Sequence, residues 1–363
     1  MISSIDNSNV FIKGSVENNQ DLFISDGKIR AINYSNTVNT NSDITIPGFI
    51  DLQIYGAANR LFSAEPSLES LEIIENDLLS KGTTSFLICL ATNTPEVFKN
   101  CIEVVKTYRN QARNCMGLHL EGPFLNIKKS GAHVKEYIRK ATLDEIKELI
   151  DFGDGTIKMM TIAPETQDEK VIEYLLDNNV IVSLGHSDAT YEQATQAYNK
   201  GIQSTTHLFN AMSSLLHRAP GIPSAVFNHK KAMTSIIADG FHVDFEVVKI
   251  AQKLLKERLF LITDAVTECS IGPYQHKEIE GKFVMPDGTL SGSALTMLQA
   301  VKNCVAYCDI DLNTAIKMAT EYPAKLMGLE NLIGTIKVGA DANFVILDKE
   351  LNIKEVYFRG NKI

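Results

Sequence analysis

A chain of 363 residues with 44% hydrophobic content carries enough apolar material for one barrel-sized core plus a smaller domain. Its net charge of -9 argues against nucleic acid and membrane as principal partners, because a polyanion or an anionic bilayer repels an acidic surface. The six cysteines contain no CxxC pair, so neither a zinc ribbon nor a disulfide framework is expected.

The start MISSIDNSNV has no basic stretch followed by an apolar run, and no apolar stretch is long enough to span a bilayer. A reduced, cytoplasmic protein is the expectation. Residues 1–44 read as short alternating strands, NVFIKG, DLFISDGKIRAI and DITI, separated by Asn, Gly and Asp turns. The last thirty residues have the same character, with FVILD and KEVYFRG split by polar turns. The two ends are expected to pair as one small, discontinuous β-sandwich domain, residues 1–44 plus 334–363, with residues 45–333 inserted between them.

From Ile46 the pattern becomes apolar strand, loop, amphipathic helix, and it repeats. Eight strands are expected at 46–55, 83–91, 115–121, 157–163, 180–186, 204–209, 232–239 and 259–264, with helices such as SLESLEIIENDLLSKG and PEVFKNCIEVVKTYRN between them. Eight strand-helix units make an α/β fold, a closed (β/α)8 TIM-like barrel. The eighth strand leads into an irregular insertion, residues 268–292, before the last helices.

The chemistry of such a barrel sits at the C-terminal ends of its strands. Glu121, His186, His207 and Asp264 fall at or near the ends of the third, fifth, sixth and eighth strands. One carboxylate and two imidazoles leave an open position on a zinc-like ion for a water, whose pKa would fall to about 7. Asp264 is assigned as the general acid/base that takes the water's proton and passes it to a leaving amine, although spacing alone leaves it open as a further ligand. The donor set suits zinc, and also iron(II), cobalt or manganese.

Taken in order, PGFIDLQIYG, GLHLEGPFLN, GHSDA, THLFNAM, DGFHVD, ITDA and SGSALTM resemble the N-acetylglucosamine-6-phosphate deacetylases of the amidohydrolase superfamily, over essentially the whole chain. The resemblance implies hydrolysis of N-acetylglucosamine 6-phosphate to glucosamine 6-phosphate and acetate, with Glu121, His186 and His207 as metal ligands and Asp264 as acid/base. It implies that His133 polarises the acetyl carbonyl, and that Ala132, Asn210, Ala211, His242, Leu295, Thr296 and Met297 bind the sugar phosphate. Arg218 is implied as a phosphate ligand donated by the partner subunit of a homodimer. Many amidohydrolases hold a second metal with His-x-His at the end of the first strand; Gln53 and Tyr55 stand there instead, so one divalent metal per subunit is expected. An amidohydrolase acting on N-acetylgalactosamine 6-phosphate or a cyclic amide, and a non-catalytic sugar-phosphate-binding barrel, are the alternatives.

Overall fold

The computed structural model describes residues 3–35 and 42–363; of the expected terminal domain, residues 1, 2 and 36–41 lie outside the described residues. Eight parallel strands form one sheet in sequence order: β1 (Phe49–Ile54), β2 (Thr83–Ala91), β3 (Cys115–Glu121), β4 (Ile157–Ile162), β5 (Ile181–Leu184), β6 (Ser204–Thr205), β7 (Met233–Ile236) and β8 (Leu259–Leu261). The sheet closes on itself just beyond β8. Asp264 N donates to Gln53 O at 3.0 Å, and Tyr55 N to Ala265 O at 2.9 Å.

A helix follows each strand, from Leu68–Ser80 after β1 to Met297–Tyr307 after β8. Ser67, Thr94, Thr142 and Thr190 begin four of them by accepting a first-turn amide hydrogen that the helix itself cannot satisfy. The apolar faces of these helices pack on β1 to β8 as one continuous core, which includes Phe49, Leu71, Phe86, Ile102, Leu175, Val226 and Phe260.

Inside the barrel, period-two alternation points His119 and Glu121 the same way, and both are buried. His119 lies one layer deeper and is a structural tie: Nδ1–H donates to Leu52 O at 3.0 Å, and Nε2 accepts from Thr161 Oγ1 at 2.7 Å. Burial pushes its pKa down to about 4 and so keeps it neutral. Thr161, Thr206 and Ser183 continue this chain of hydrogen bonds at 2.7 and 2.6 Å.

The two ends of the chain meet in a seven-stranded sheet. Ile44–Pro47 is its joint, parallel to Ser3–Ile12 on one side and antiparallel to Phe344–Leu347 on the other. Val10, Leu22, Ile24, Ile29, Ile336, Ala342 and Phe344 form a separate small core there. The strand expected over 46–55 is therefore two strands, divided at Gly48 between the terminal sheet and β1. A Cβ on Gly48 would lie 2.1 Å from Thr84 Oγ1, so only glycine allows the backbone to cross at that point.

The insertion after β8 is more regular than expected. Lys277–Ile279, Lys282–Val284 and Leu290–Ser293 pair as a three-stranded antiparallel meander beside the barrel mouth.

Candidate active site

Glu121 is the last residue of β3, whereas His186, His207 and Asp264 lie just past the ends of β5, β6 and β8. Those three have left-handed backbones, with φ of 46°, 35° and 54°. A non-glycine residue there costs of order 1–3 kcal/mol and cannot continue a strand. This is why β5, β6 and β8 stop short of the lengths expected from apolar content. It also turns the three side chains in over the mouth.

The donor atoms converge. His207 Nε2 is 2.9 Å from Glu121 Oε1 and 3.1 Å from His186 Nε2, and His186 Nε2 is 3.4 Å from the same oxygen. Ligands held about 2.1 Å from a tetrahedral ion stand roughly 3.4 Å apart, so this triangle needs only a small expansion to accept one. The ring of His186 is oriented for that task, since Nδ1–H donates to Lys129 O at 2.8 Å and leaves the Nε2 lone pair facing the cluster. Nδ1 of His207 is buried without a partner among the described residues, so this ring makes its polar contacts through Nε2.

Glu121, His133 and His186 also bring one donor atom each within 4.8 Å of one another. Hydrogen bonding separates His133 from His207. His133 Nδ1 accepts from Thr92 N at 3.2 Å, which places the ring proton on Nε2, and Nε2–H donates to Glu121 Oε2 at 3.1 Å. Burial, reinforced by His186, holds His133 down at about 4, a neutral donor and not a free lone pair. Residues that could hold a cation are thus Glu121, His186 and His207.

Around Glu121 the first strand supplies two donors. Gln53 Nε2 donates to Glu121 Oε1 at 3.0 Å and to Asp264 Oδ1 at 2.8 Å, and the Tyr55 phenol donates to Glu121 Oε2. Burial by itself would raise the Glu121 carboxyl, but the proximity of His186 and the contacts with His133 and His207 outweigh it, and the group stays well below its usual range. Asp264 goes the other way: burial first, then the charge of Glu121, lifts it well above an ordinary aspartate. His242 Nδ1–H donates to Asp239 Oδ2 at 2.7 Å, with Nε2 3.9 Å from Asp264 Oδ2.

These groups form the floor of one cavity, and Ala132, His133, Asn210, Ala211 and His242 line it as expected. One expectation needs correction. Leu295, Thr296 and Met297 do not line this cavity: Thr296 caps the helix Met297–Tyr307, and Met297 is buried in the barrel core. The segment that reaches the cavity is Leu290, Ser291 and Gly292, because the last strand of the meander runs along the mouth before the helix starts. Arg218 is exposed and does not line the cavity of its own chain; it sits in the tight turn where Leu216 and Ala219 exchange backbone hydrogen bonds at 3.0 and 3.2 Å. Tyr274 and His276 are further wall residues that the sequence patterns did not single out. Their signal was the pair of turn dipeptides Glu280-Gly281 and Asp287-Gly288 around KFV, which marks a meander rather than an irregular loop.

Residues 44–363 match the amidohydrolase family. N-acetylglucosamine-6-phosphate deacetylase of Haemophilus influenzae is 35% identical over 321 residues, 85% of this chain and 84% of that one. The human protein of the same name is 34% identical over 340 residues, 88% of this chain and 83% of its own. Among solved structures, N-acetylglucosamine-6-phosphate deacetylase from Pasteurella multocida superposes with a TM-score of 0.93 at 33% identity, covering 100% of both chains. A variant of N-acetyl-D-glucosamine-6-phosphate deacetylase from Mycobacterium smegmatis, in complex with N-acetyl-D-glucosamine-6-phosphate, gives 0.91 at 27% identity and 99% coverage of each.

Proposed function

Because the chain belongs to the amidohydrolase family, we propose that it hydrolyses N-acetylglucosamine 6-phosphate to glucosamine 6-phosphate and acetate, a step of amino sugar metabolism. The observation that carries this reading is the convergence of Glu121, His186 and His207 within 3.4 Å beside a buried Asp264, on the floor of one cavity.

Glu121, His186 and His207 hold one divalent cation, with zinc the first choice and iron, cobalt or manganese suited to the same donors. When bound, that cation supplies a Lewis acid that polarises an amide carbonyl and acidifies a water. Gln53 and Tyr55 support the single-ion reading, since the Gln53 amide nitrogen and the Tyr55 phenol donate to Glu121 where a second ion's ligands would stand.

Asp264 takes the proton of the attacking water on a carboxylate oxygen and returns it to the departing nitrogen. Gln53 Nε2, donating to Asp264 Oδ1 at 2.8 Å, holds the carboxylate in place for both transfers. His133 presents Nε2–H, and a neutral donor there supports negative charge developing on the carbonyl oxygen. Ala132, Asn210, Ala211, His242 and the segment Leu290–Gly292 wall the substrate in.

The phosphate is met by Arg218 of a second subunit in a homodimer. Arg218 stands on an exposed turn beside exposed Leu215 and Leu216, apolar side chains that suit an interface. Residues 1–44 plus 334–363 and residues 45–333 are taken as the two domains, joined through Ile44–Pro47. Six unpaired cysteines favour the reducing cytoplasm, and no helix among the described residues is long and apolar enough to cross a membrane.

The test is acetate release by purified, metal-loaded protein from N-acetylglucosamine 6-phosphate and from its galacto epimer. Turnover that depends on metal and prefers the first sugar is the expected result. Tight binding of both sugars with no acetate formed would make the barrel a binding protein and overturn the reading.

A further inference from the structure

The meander after β8 carries a polar group into the cavity that neither the cation site nor the acid/base uses. His276 immediately precedes its first strand, is only 6% exposed, and lines the cavity together with Ser291 of its last strand. Its Nδ1 is hydrogen-bonded to Ser291 Oγ at 2.9 Å. Nε2 takes no partner among the described residues, yet it is not among the fully buried unpaired atoms, so it retains a face on open space.

The ring is held by an anchored neighbour. It stacks on Tyr274, with centroids 6.1 Å apart and planes 19° from parallel. The Tyr274 hydroxyl donates to Thr92 O at the end of β2. Thr92 in turn contacts His133 Nδ1 through its side chain at 2.8 Å, so the arm that holds His276 is tied to a residue that also orients His133. A ring held this firmly can discriminate between substituent positions that differ by an ångström or so.

The chemistry of the group narrows what it recognises. Burial pushes the pKa of His276 down to about 4, which leaves a neutral imidazole through the physiological range. An anion such as phosphate calls for a cation, and a neutral ring is a poor substitute. A hydroxyl is the natural match, because it both donates and accepts and so pairs with Nε2 whichever way the Ser291 hydroxyl sets the tautomer.

We propose that His276 is a specificity-determining residue whose free Nε2 hydrogen-bonds one ring hydroxyl of the amino sugar, and that this contact contributes to the choice between epimers. The inference rests on the deacetylase reading of the same cavity. Arg218 of the partner subunit reads the phosphate, the cation site reads the acetamide, and His276 reads a neutral hydroxyl.

The experiment measures kcat/KM of wild type, His276→Leu and His276→Gln on N-acetylglucosamine 6-phosphate and on its 1-, 3- and 4-deoxy analogues. Metal content is determined in parallel to confirm that each variant retains the site. Wild type is expected to lose roughly 3- to 10-fold on one analogue through the missing hydrogen bond, more if the ring is left unpaired. His276→Leu should lose a similar factor on the parent sugar and nothing further on that one analogue, while keeping its full penalties on the other two. His276→Gln, which retains a donor and an acceptor, should recover part of the discrimination. A uniform loss on all four compounds, or deoxy penalties unchanged in His276→Leu, would overturn the assignment and leave His276 as a packing residue. If His276→Leu does not fold, the same comparison in His276→Gln and His276→Asn decides. Should wild type release no acetate from any of the four sugars, it is the deacetylase reading that has failed.

Discussion

Asp51 offers a measurement of how much the closed barrel costs an ionised group. The side chain is 1% exposed at the seam between β1 and the residues beyond β8, accepting from Gln53 N at 3.2 Å, from Thr263 N at 3.3 Å and from the Thr263 hydroxyl. Burial raises its pKa from 3.8 to about 6 against the pull of those three hydrogen bonds. The fold therefore binds the Asp51 proton more tightly than the unfolded chain does. At about 1.36 kcal/mol for each tenfold change in proton affinity, the ionised form costs the fold roughly 3 kcal/mol. The sign follows from linkage: this penalty is absent below 3.8, grows as pH rises, and is complete above about 6. Between pH 5 and 8 it grows by roughly 1 kcal/mol. Asp51→Asn keeps an acceptor for the two amides and removes the ionisation. Urea unfolding of wild type and variant across pH 5–8, followed by circular dichroism, reads the effect as a difference curve, so groups that titrate in both proteins cancel. Wild type should lose about 1 kcal/mol relative to the variant as pH rises from 5 to 8. Parallel curves, or a wild type that gains on the variant toward pH 8, would refute the reasoning.

Four further outcomes follow from the site. Asp264→Asn should retain most of its metal and lose roughly 10²-fold or more in kcat, as measured by metal analysis beside acetate release; metal lost in step with activity would make Asp264 a ligand. His207→Asn should lose metal and turnover together, whereas His133→Asn should keep the metal and lose mainly kcat, and the reverse pattern would exchange the two roles. Tyr55→Phe removes a hydrogen bond to the charged Glu121 and should weaken metal binding by roughly 10- to 100-fold, read by competition with a chelator; unchanged affinity would show that the phenol does not orient the ligand. Arg218→Ala should raise KM for the phosphorylated sugar far more than for plain N-acetylglucosamine, and mixing Arg218→Ala with Asp264→Asn subunits should restore activity only if the arginine serves its partner's site.

The sequence by itself determined the architecture and which carboxylates and imidazoles meet at the barrel mouth. Period-two and helical apolar patterns are local properties, so eight strand-helix units and two strand-rich ends were legible without contacts. Glu121, His186, His207 and Asp264 were legible for a related reason: a carboxylate or imidazole that stops an apolar run declares both its place at a strand end and its chemistry. Tertiary structure alone decided what those atoms face. Left-handed backbones at His186, His207 and Asp264 shorten three strands and aim the side chains inward, which hydropathy does not encode. The tautomer that separates His133 from the other histidines comes from the amide of Thr92, forty-one residues away. The wall made by Tyr274, His276 and Leu290–Gly292 exists only because a meander folds back over the mouth, and the expected wall residues Leu295–Met297 lie a few residues beyond the Leu290–Gly292 that line it. Composition and periodicity report how much of a side chain is hidden; which long-range neighbour hides it is settled by the closed barrel.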